Sequence, residues 1–305
     1  VGTAHAKAIL FGEHAVVYGS PAVAVPLHAL TARAEVTPRL GGTHIDSELF
    51  VGEADEAPAR IQPLLAALHS AQARTAQARR TLDLRLTSSI PYERGLGSSA
   101  AVAVAVARAV ADLAGVPLTA DEVFSVSMDA ERIAHGSSSG LDGRTVCSPT
   151  PIRFHAGRVD PVAVGAPFTL VLADTGRAGS TSRSVGAVRS ELSSDPSRFT
   201  PMIDRLGELA ESSLTPLATG DRRALGAQMS EAHRTLAALG VSDPGLDRLV
   251  AAADAAGALG AKLTGGGRGG CILALANDED HARLLENDLR HAGAVRTWCT
   301  SVGTA

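Results

Sequence analysis

The side chains best suited to chemistry fall into three groups. Gly95-Leu96-Gly97-Ser98-Ser99-Ala100-Ala101 sets two glycines and two serines at the head of a long run of alanine and valine. Glu131 and Asp142 stand on either side of Ser137-Ser138-Ser139-Gly140. Lys7 and Lys262 are the only lysines among 28 basic residues, the others being arginine. A lysine kept against such a bias suits a place that needs a compact ammonium, which the larger planar guanidinium cannot imitate.

The run after the glycines carries two conflicting periods. Val102, Val104 and Val106 alternate as in a strand, whereas Val102, Val106, Val110 and Leu113 share one helical face. Alanine favours helix throughout, and Gly115 with Pro117 supplies a helix stop. The segment therefore reads as a buried helix with Ser98 or Ser99 as N-cap. The first N–H groups of a helix lack internal partners, and its dipole favours negative charge there. Glycines let the backbone approach a phosphate, and serine hydroxyls can bond it or ligate Mg²⁺. A capped core helix after a flexible turn explains the same letters.

Context excludes two familiar nucleotide loops. There is no Gly-x-x-x-x-Gly-Lys-Ser/Thr. Gly95-x-Gly97-x-x-Ala100 fits the dinucleotide fingerprint in letters, but that fingerprint needs a strand running straight into the first glycine. Here Ile90-Pro91-Tyr92-Glu93-Arg94 intervenes after the strand at 82–86.

The elements that must position these groups can be read from punctuation and period. Residues 6–11 read as a strand and Gly12-Glu13-His14 as a turn, with short strands at 15–18, 22–25 and 31–37. Ile61, Leu64, Leu65 and Leu68 predict an amphipathic helix over 60–80, followed by a strand at 82–87. Thr119-Ala120-Asp121-Glu122 is a capping box opening a helix that closes at Gly136. Glu131 lies in its last turn, where the dipole does not favour a carboxylate. A nearby metal ion would relieve that; an exposed surface charge is the plainer reading. Strands at 152–154 and 168–173 precede a polar loop at 174–183 and four helices within 184–257. A strand at 261–264 leads into Gly265-Gly266-Gly267-Arg268-Gly269-Gly270, then a strand at 271–276, a helix at 278–291 and a strand at 295–299. This glycine turn is either a tight connection between strands or a close approach to a ligand. Short strands give way to long helices near Ala163, the expected boundary between domains 1–163 and 164–305.

The chain of 305 residues, 45% hydrophobic and 20% charged, can bury a large core in two domains. Aromatics are only 3%, so that core is mostly Ala, Val and Leu. A formal charge of −4 without a long basic run argues against nucleic acid as a partner. No charge-free apolar stretch is long enough for a membrane, and no signal-peptide layout is present. Cys147, Cys271 and Cys299 lie far apart with no Cys-x-x-Cys, which points to reduced thiols in the cytoplasm.

Three segments resemble the GHMP small-molecule kinases: Lys7 to Gly19, Gly95 to Ala101, and Lys262 to Cys271. A fourth, Glu131-Arg132-x-x-His135-Gly136-x-x-Ser139-Gly140-Leu141-Asp142, resembles the members acting on mevalonate, as does the wording of Gly12 to Gly19. The likeness runs over nearly the whole chain. It implies an α+β fold of two domains, an N-terminal ribosomal-protein-S5-like α/β domain that binds ATP and a C-terminal ferredoxin-like α+β domain. It implies ATP-dependent phosphorylation of the C5 hydroxyl of mevalonate, on the route to isoprenoids, with Mg²⁺. Carried over by position, Ser99 and Glu131 are the Mg²⁺ ligands and Asp142 the catalytic carboxylate, with Lys7 between Asp142 and the γ-phosphate. Gly95, Leu96, Gly97, Ser98, Ser99 and Ala100 would hold the ATP phosphates. Glu13, His14, Gly140 and Thr181 would lie near mevalonate. A homodimer is compatible with the resemblance. Phosphoryl transfer needs positioning, a metal, a cation and a proton acceptor, and the chain has one candidate for each.

Three positions depart from the family pattern. His5-Ala6 replaces the usual Pro-Gly, Arg268 replaces a glycine, and Ser138 stands where proline is common. None removes a proposed catalytic group. The alternative is another kinase of the same fold, acting on phosphomevalonate, homoserine or galactose. A phosphorylated substrate would call for extra basic residues in its pocket, and none clusters around the three motifs except Arg268. An ATP-binding sensor without catalysis would have lost Lys7 or Asp142, and both are present. The related decarboxylase is disfavoured, because the set of Lys7, Glu131 and Asp142 fits a kinase better.

Overall fold

The computed structural model describes residues 1–75, 80–136, 138–179 and 181–303. The chain begins with two strands that pair with each other, β1 (Gly2–Phe11) and β2 (Ala22–Pro38). Residues 15–18 between them form a 3₁₀ turn, where valine spacing predicts a strand. Gly12 at φ +93° and His14 at φ +63° turn the backbone, and the N–H groups of Val16 and Val17 bond Gly12 O and His14 O. These local bonds outweigh the β preference of two valines. The strands expected at 22–25 and 31–37 are the single element β2, which continues through Pro26.

One compact unit comprises Val1–Ala6, Leu30–Tyr92 and Gly97–Pro149. It holds β3 (His44–Ser47), β4 (Phe50–Glu53), α1 (Gln62–Arg74), β5 (Leu82–Ser88), α2 (Ser98–Ala114), α3 (Ala120–His135) and α4 (Leu141–Cys147). The later part of β2 pairs antiparallel with β5, from Ala32 opposite Ser88 to Pro38 opposite Leu82. β5 runs parallel to β3, which forms a hairpin with β4. Helices α1, α2 and α3 pack on one another, and α4 packs on α2 and α3. α2 is apolar nearly all round: Ala100, Ala103, Val104, Ala105, Val106, Ala107 and Ala109 are all buried. That is why its valine spacing carries two periods, since a helix enclosed on most sides needs little polar face. α1 stops at Arg74, short of the expected end at 80, with residues 76–79 outside the described part. The capping box of α3 is present: Glu122 N–H donates to Thr119 Oγ1 (3.2 Å) and Thr119 N–H to Glu122 Oε2 (2.8 Å).

A second compact unit comprises Lys7–Ala29, Glu93–Leu96 and the chain from Thr150 onward. Here the start of β2 pairs with β6 (Ile152–His155), which pairs with β7 (Arg158–Pro161). A four-stranded antiparallel sheet is built from β8 (Phe168–Asp174), β9 (Gly260–Leu263), β10 (Cys271–Leu275) and β11 (Arg296–Val302), in the order β11-β8-β10-β9. The helices are α5 (Thr181–Ser194), α6 (Pro196–Ser212), α7 (Leu214–Thr219), α8 (Arg222–Ala238), α9 (Pro244–Ala255) and α10 (Glu279–His291). α5 starts inside the expected polar loop. α7 is a short addition to the four helices expected, formed where Ser213 N–H bonds Leu209 O and Leu217 N–H bonds Ser213 O. The compact units are discontinuous, so residues 7–29 and 93–96 group with the later part of the chain rather than with their sequence neighbours. Among the described residues no helix is long and apolar enough to cross a membrane.

Candidate active site

The expected site residues fall into two sets, one in each compact unit. In the second unit, residues 93–96 lead into the glycine–serine run and are held from several sides. Lys7 N–H donates to Leu96 O (3.0 Å) and Lys7 Nζ to Gly95 O (3.1 Å). Arg94 Nε donates to Asp174 Oδ1 (2.8 Å) and Nη2 to Gly176 O (3.0 Å). The glycine turn at 265–270 lies against this segment, backbone on backbone. A Cβ on Gly265 would come within 2.9 Å of Gly95 Cα, and one on Gly270 within 2.9 Å of Arg94 O. Those glycines are required by close approach of two chain segments.

Glu13 and Lys262 form a fully buried ion pair, and Lys262 Nζ also donates to Leu263 O (2.7 Å). Burial pushes the Glu13 carboxyl up, opposed chiefly by Lys262 and also by Lys7. Burial pushes the Lys262 ammonium down, opposed by Glu13. The two lysines of the chain thus act on one carboxylate. Sequence reasoning singles out Lys262 for its rarity yet gives it no role. Glu13 Oε2 is buried without a hydrogen-bond partner.

His14 Nε2 lies 3.1 Å from Gly266 O, so that nitrogen carries the proton and the buried, unpartnered Nδ1 is an acceptor. Burial lowers its pKa from 6.5 to about 4, and the ring is neutral at pH 7. On acidification the unfolded chain takes up this proton near 6.5 and the folded chain only near 4. Folding stability should therefore fall by about 3 kcal/mol as pH drops through that window. His14→Asn removes the imidazole and should flatten this part of a urea-midpoint-against-pH curve. An unchanged acid limb would assign it to other groups.

Thr181, the exposed first residue of α5, meets the same turn: a Cβ on Gly266 would come within 2.8 Å of Thr181 Cα. His14 and Thr181 thus flank Gly266. Arg268 is exposed at φ +55°, with its N–H on Val241 O (2.7 Å) and Nε on Gly240 O (3.2 Å). Arg268→Gly would relieve left-handed strain of roughly 1 kcal/mol while losing one exposed hydrogen bond. We expect an intact fold, a melting temperature within a few degrees of the parent's, and KM values for both substrates within twofold. A larger rise in either KM would place the guanidinium on a ligand.

In the first unit, Ser98 and Ser99 open α2, but neither is its cap. The N-cap is Gly97, in the left-handed region, and no side chain caps the helix. The left-handed glycine makes the turn by itself and moves the serines into the first helical positions. Glu131 is buried, at 4% exposure, which overturns the reading of a surface charge. Asp142 is the second residue of α4, half-buried in a helix where sequence reasoning assigns no element. Gly140 caps that helix at φ +87°, and a Cβ there would come within 3.2 Å of the Phe124 ring. Gly140 therefore has a packing reason of its own. Ser138 and Ser139 hydroxyls accept the N–H groups of Gly140 (3.2 Å) and Leu141 (3.3 Å). Ser137 and the His135 side chain lie outside the described residues. His5, where proline is usual, sets Nε2 on Ser148 O (2.9 Å). Among the described residues no group of three or more His, Cys, Asp or Glu could hold a metal.

The sequence matches the family model of the GHMP kinases N terminal domain over residues 63–147 and that of the GHMP kinases C terminal region over 213–295. The chain is 35% identical to a mevalonate kinase of Pyrococcus horikoshii, covering 97% of this chain and 93% of that protein. It is 34% identical to one of Thermococcus sibiricus, covering 92% and 90%. The structure of L. major mevalonate kinase in complex with R-mevalonate superposes with a TM-score of 0.87 at 26% identity, over 100% of this chain and 96% of that one. With both family models matched in order and full-length relatives above 30% identity, the chain belongs to the GHMP kinases, enzymes that use ATP as phosphoryl donor.

Proposed function

We propose that this kinase transfers the γ-phosphoryl group of ATP to the C5 hydroxyl of mevalonate, releasing ADP and 5-phosphomevalonate. The observation that carries the reading is likeness to mevalonate kinases over nearly the full length of both chains. The first N–H groups of α2, with no side chain capping them, suit phosphate oxygens. Ser99 and Glu131 offer a hydroxyl and a carboxylate, oxygen donors that fit Mg²⁺, which keeps waters and takes phosphate oxygens as its other ligands. Burial of Glu131 in a last helical turn is compatible with the same ion, whose charge a carboxylate there would meet. Bound Mg²⁺ would neutralise charge on the phosphates. Asp142 accepts the hydroxyl proton, the Lys7 ammonium balances developing charge, and Glu13 and His14 orient the substrate's polar end. We assign ATP binding to residues 1–163 and the second domain to 164–305. Three free cysteines fit a reducing compartment such as the cytoplasm.

The test is ADP release with mevalonate, phosphomevalonate, homoserine and galactose, each with and without Mg²⁺. Turnover confined to mevalonate and dependent on Mg²⁺ supports the proposal. Faster turnover with another of these alcohols replaces it.

A further inference from the structure

α5 turns a narrow face inward. Its buried residues are Ser184 and Val188, one turn apart, each 1% exposed. One contact places the start of α5 within the second unit: Thr181 lies against Gly266, whose carbonyl faces His14 Nε2. Ser184 lies one helical turn beyond Thr181, on the inward side of α5 that also packs on α6.

The Ser184 hydroxyl is buried and has no hydrogen-bond partner. A serine within a helix ordinarily bonds a carbonyl one turn back or points to water. Glu13 Oε2 and His14 Nδ1 are buried and unpartnered in the same unit. Unsatisfied buried polar groups are exceptions in folded proteins, and each needs a reason. A polar ligand supplies one reason for all three. Glu13 Oε2 and His14 Nδ1 are acceptors, which suit hydroxyl groups of a ligand. Ser184 is the one of the three that can donate, which suits a carboxylate or ether-like oxygen beside those hydroxyls.

Building on the mevalonate reading, we infer that Ser184 is a further substrate-binding residue, whose hydroxyl donates to an oxygen of a short hydroxy acid held by Glu13 and His14. The ligand class follows from that pattern of two acceptors and one donor.

The inference is tested on the full chain with Ser184→Ala and Ser184→Cys. Kinetic constants for mevalonate and ATP are measured beside melting temperature, and mevalonate-induced thermal shift is recorded without ATP. Loss of one hydrogen bond to substrate should raise the mevalonate KM of Ser184→Ala about tenfold and cut the thermal shift. The ATP KM should stay within twofold, and the variant should melt no earlier than the parent. Ser184→Cys, with a weaker donor, should fall between the two. If the mevalonate KM and the thermal shift of either variant match the parent's, the inference is overturned, and the hydroxyl meets only trapped water or nothing. A rise in both KM values with early melting also overturns it, by assigning Ser184 to structure alone. If the parent turns over another alcohol of the panel instead, the mevalonate reading falls. The Ser184 inference is then decided by the KM for that alcohol under the same criteria.

Discussion

Asp142→Asn should lower kcat by about 10²–10⁴, while ATP binding and the melting temperature stay close to the parent's. Asparagine keeps the size and shape of the side chain but cannot take the hydroxyl proton. An aspartate is a weak base toward an alcohol, so the proposed transfer comes late, as negative charge moves onto the migrating phosphoryl group. A purely structural role predicts something different. Asp142 is the second residue of α4, where its charge favours the helix dipole by about 0.3–1 kcal/mol. Losing only that would shift melting by a few degrees and leave turnover intact. Measuring kcat and melting temperature on the one variant separates the two. Normal turnover with earlier melting would remove Asp142 from the chemistry.

Lys262→Met should lower folding stability by about 3–5 kcal/mol, because it leaves the Glu13 carboxylate buried without its countercharge. The pH dependence carries a sign. Burial holds the Glu13 pKa above its usual 4.5 in the folded chain, and removal of Lys262 pushes it further up. A raised carboxyl favours folding below the unfolded pKa and loses that advantage as pH rises through the folded pKa. The gap between variant and parent should therefore be small at acid pH and widen above 4.5. Adding Glu13→Gln removes the charge and should restore most of the stability, with substrate binding still impaired. Urea unfolding of the parent, both single variants and the double variant, at two pH values, measures the coupling. A loss under about 1 kcal/mol for Lys262→Met would mean that water or another cation compensates Glu13.

Much of the fold around the candidate site was legible because its signals are local. A capping box is a pair of hydrogen bonds within four residues, so Thr119 and Glu122 mark the start of α3 without reference to anything else. The glycine–serine loop, the second glycine turn and the pair of rare lysines are likewise short patterns, and they lie in the segments whose resemblance to the GHMP kinases implied a two-domain α+β fold. Local signals also misled. Val16 and Val17 carry a strand preference, but His14 and Gly12 bend the chain into a 3₁₀ turn. Ser98 looks like a cap until Gly97 takes that place.

Residue types in short segments determined by themselves which groups could hold phosphate, bind a metal or move a proton, since chemistry limits what can stand there. Partners and burial were decided only in the folded chain. Lys262 finds Glu13 across 249 positions, and Arg94 finds Asp174 across 80. Glu131 reads the same in sequence whether solvated or enclosed, and in the folded chain it is buried on α3, a helix packed on α1, α2 and α4. The reason is physical. A cap or a turn is a hydrogen bond between near neighbours, whereas the field at a carboxylate depends on how much water has been removed and which charge replaced it. Those quantities are set by residues that meet only when the chain has folded.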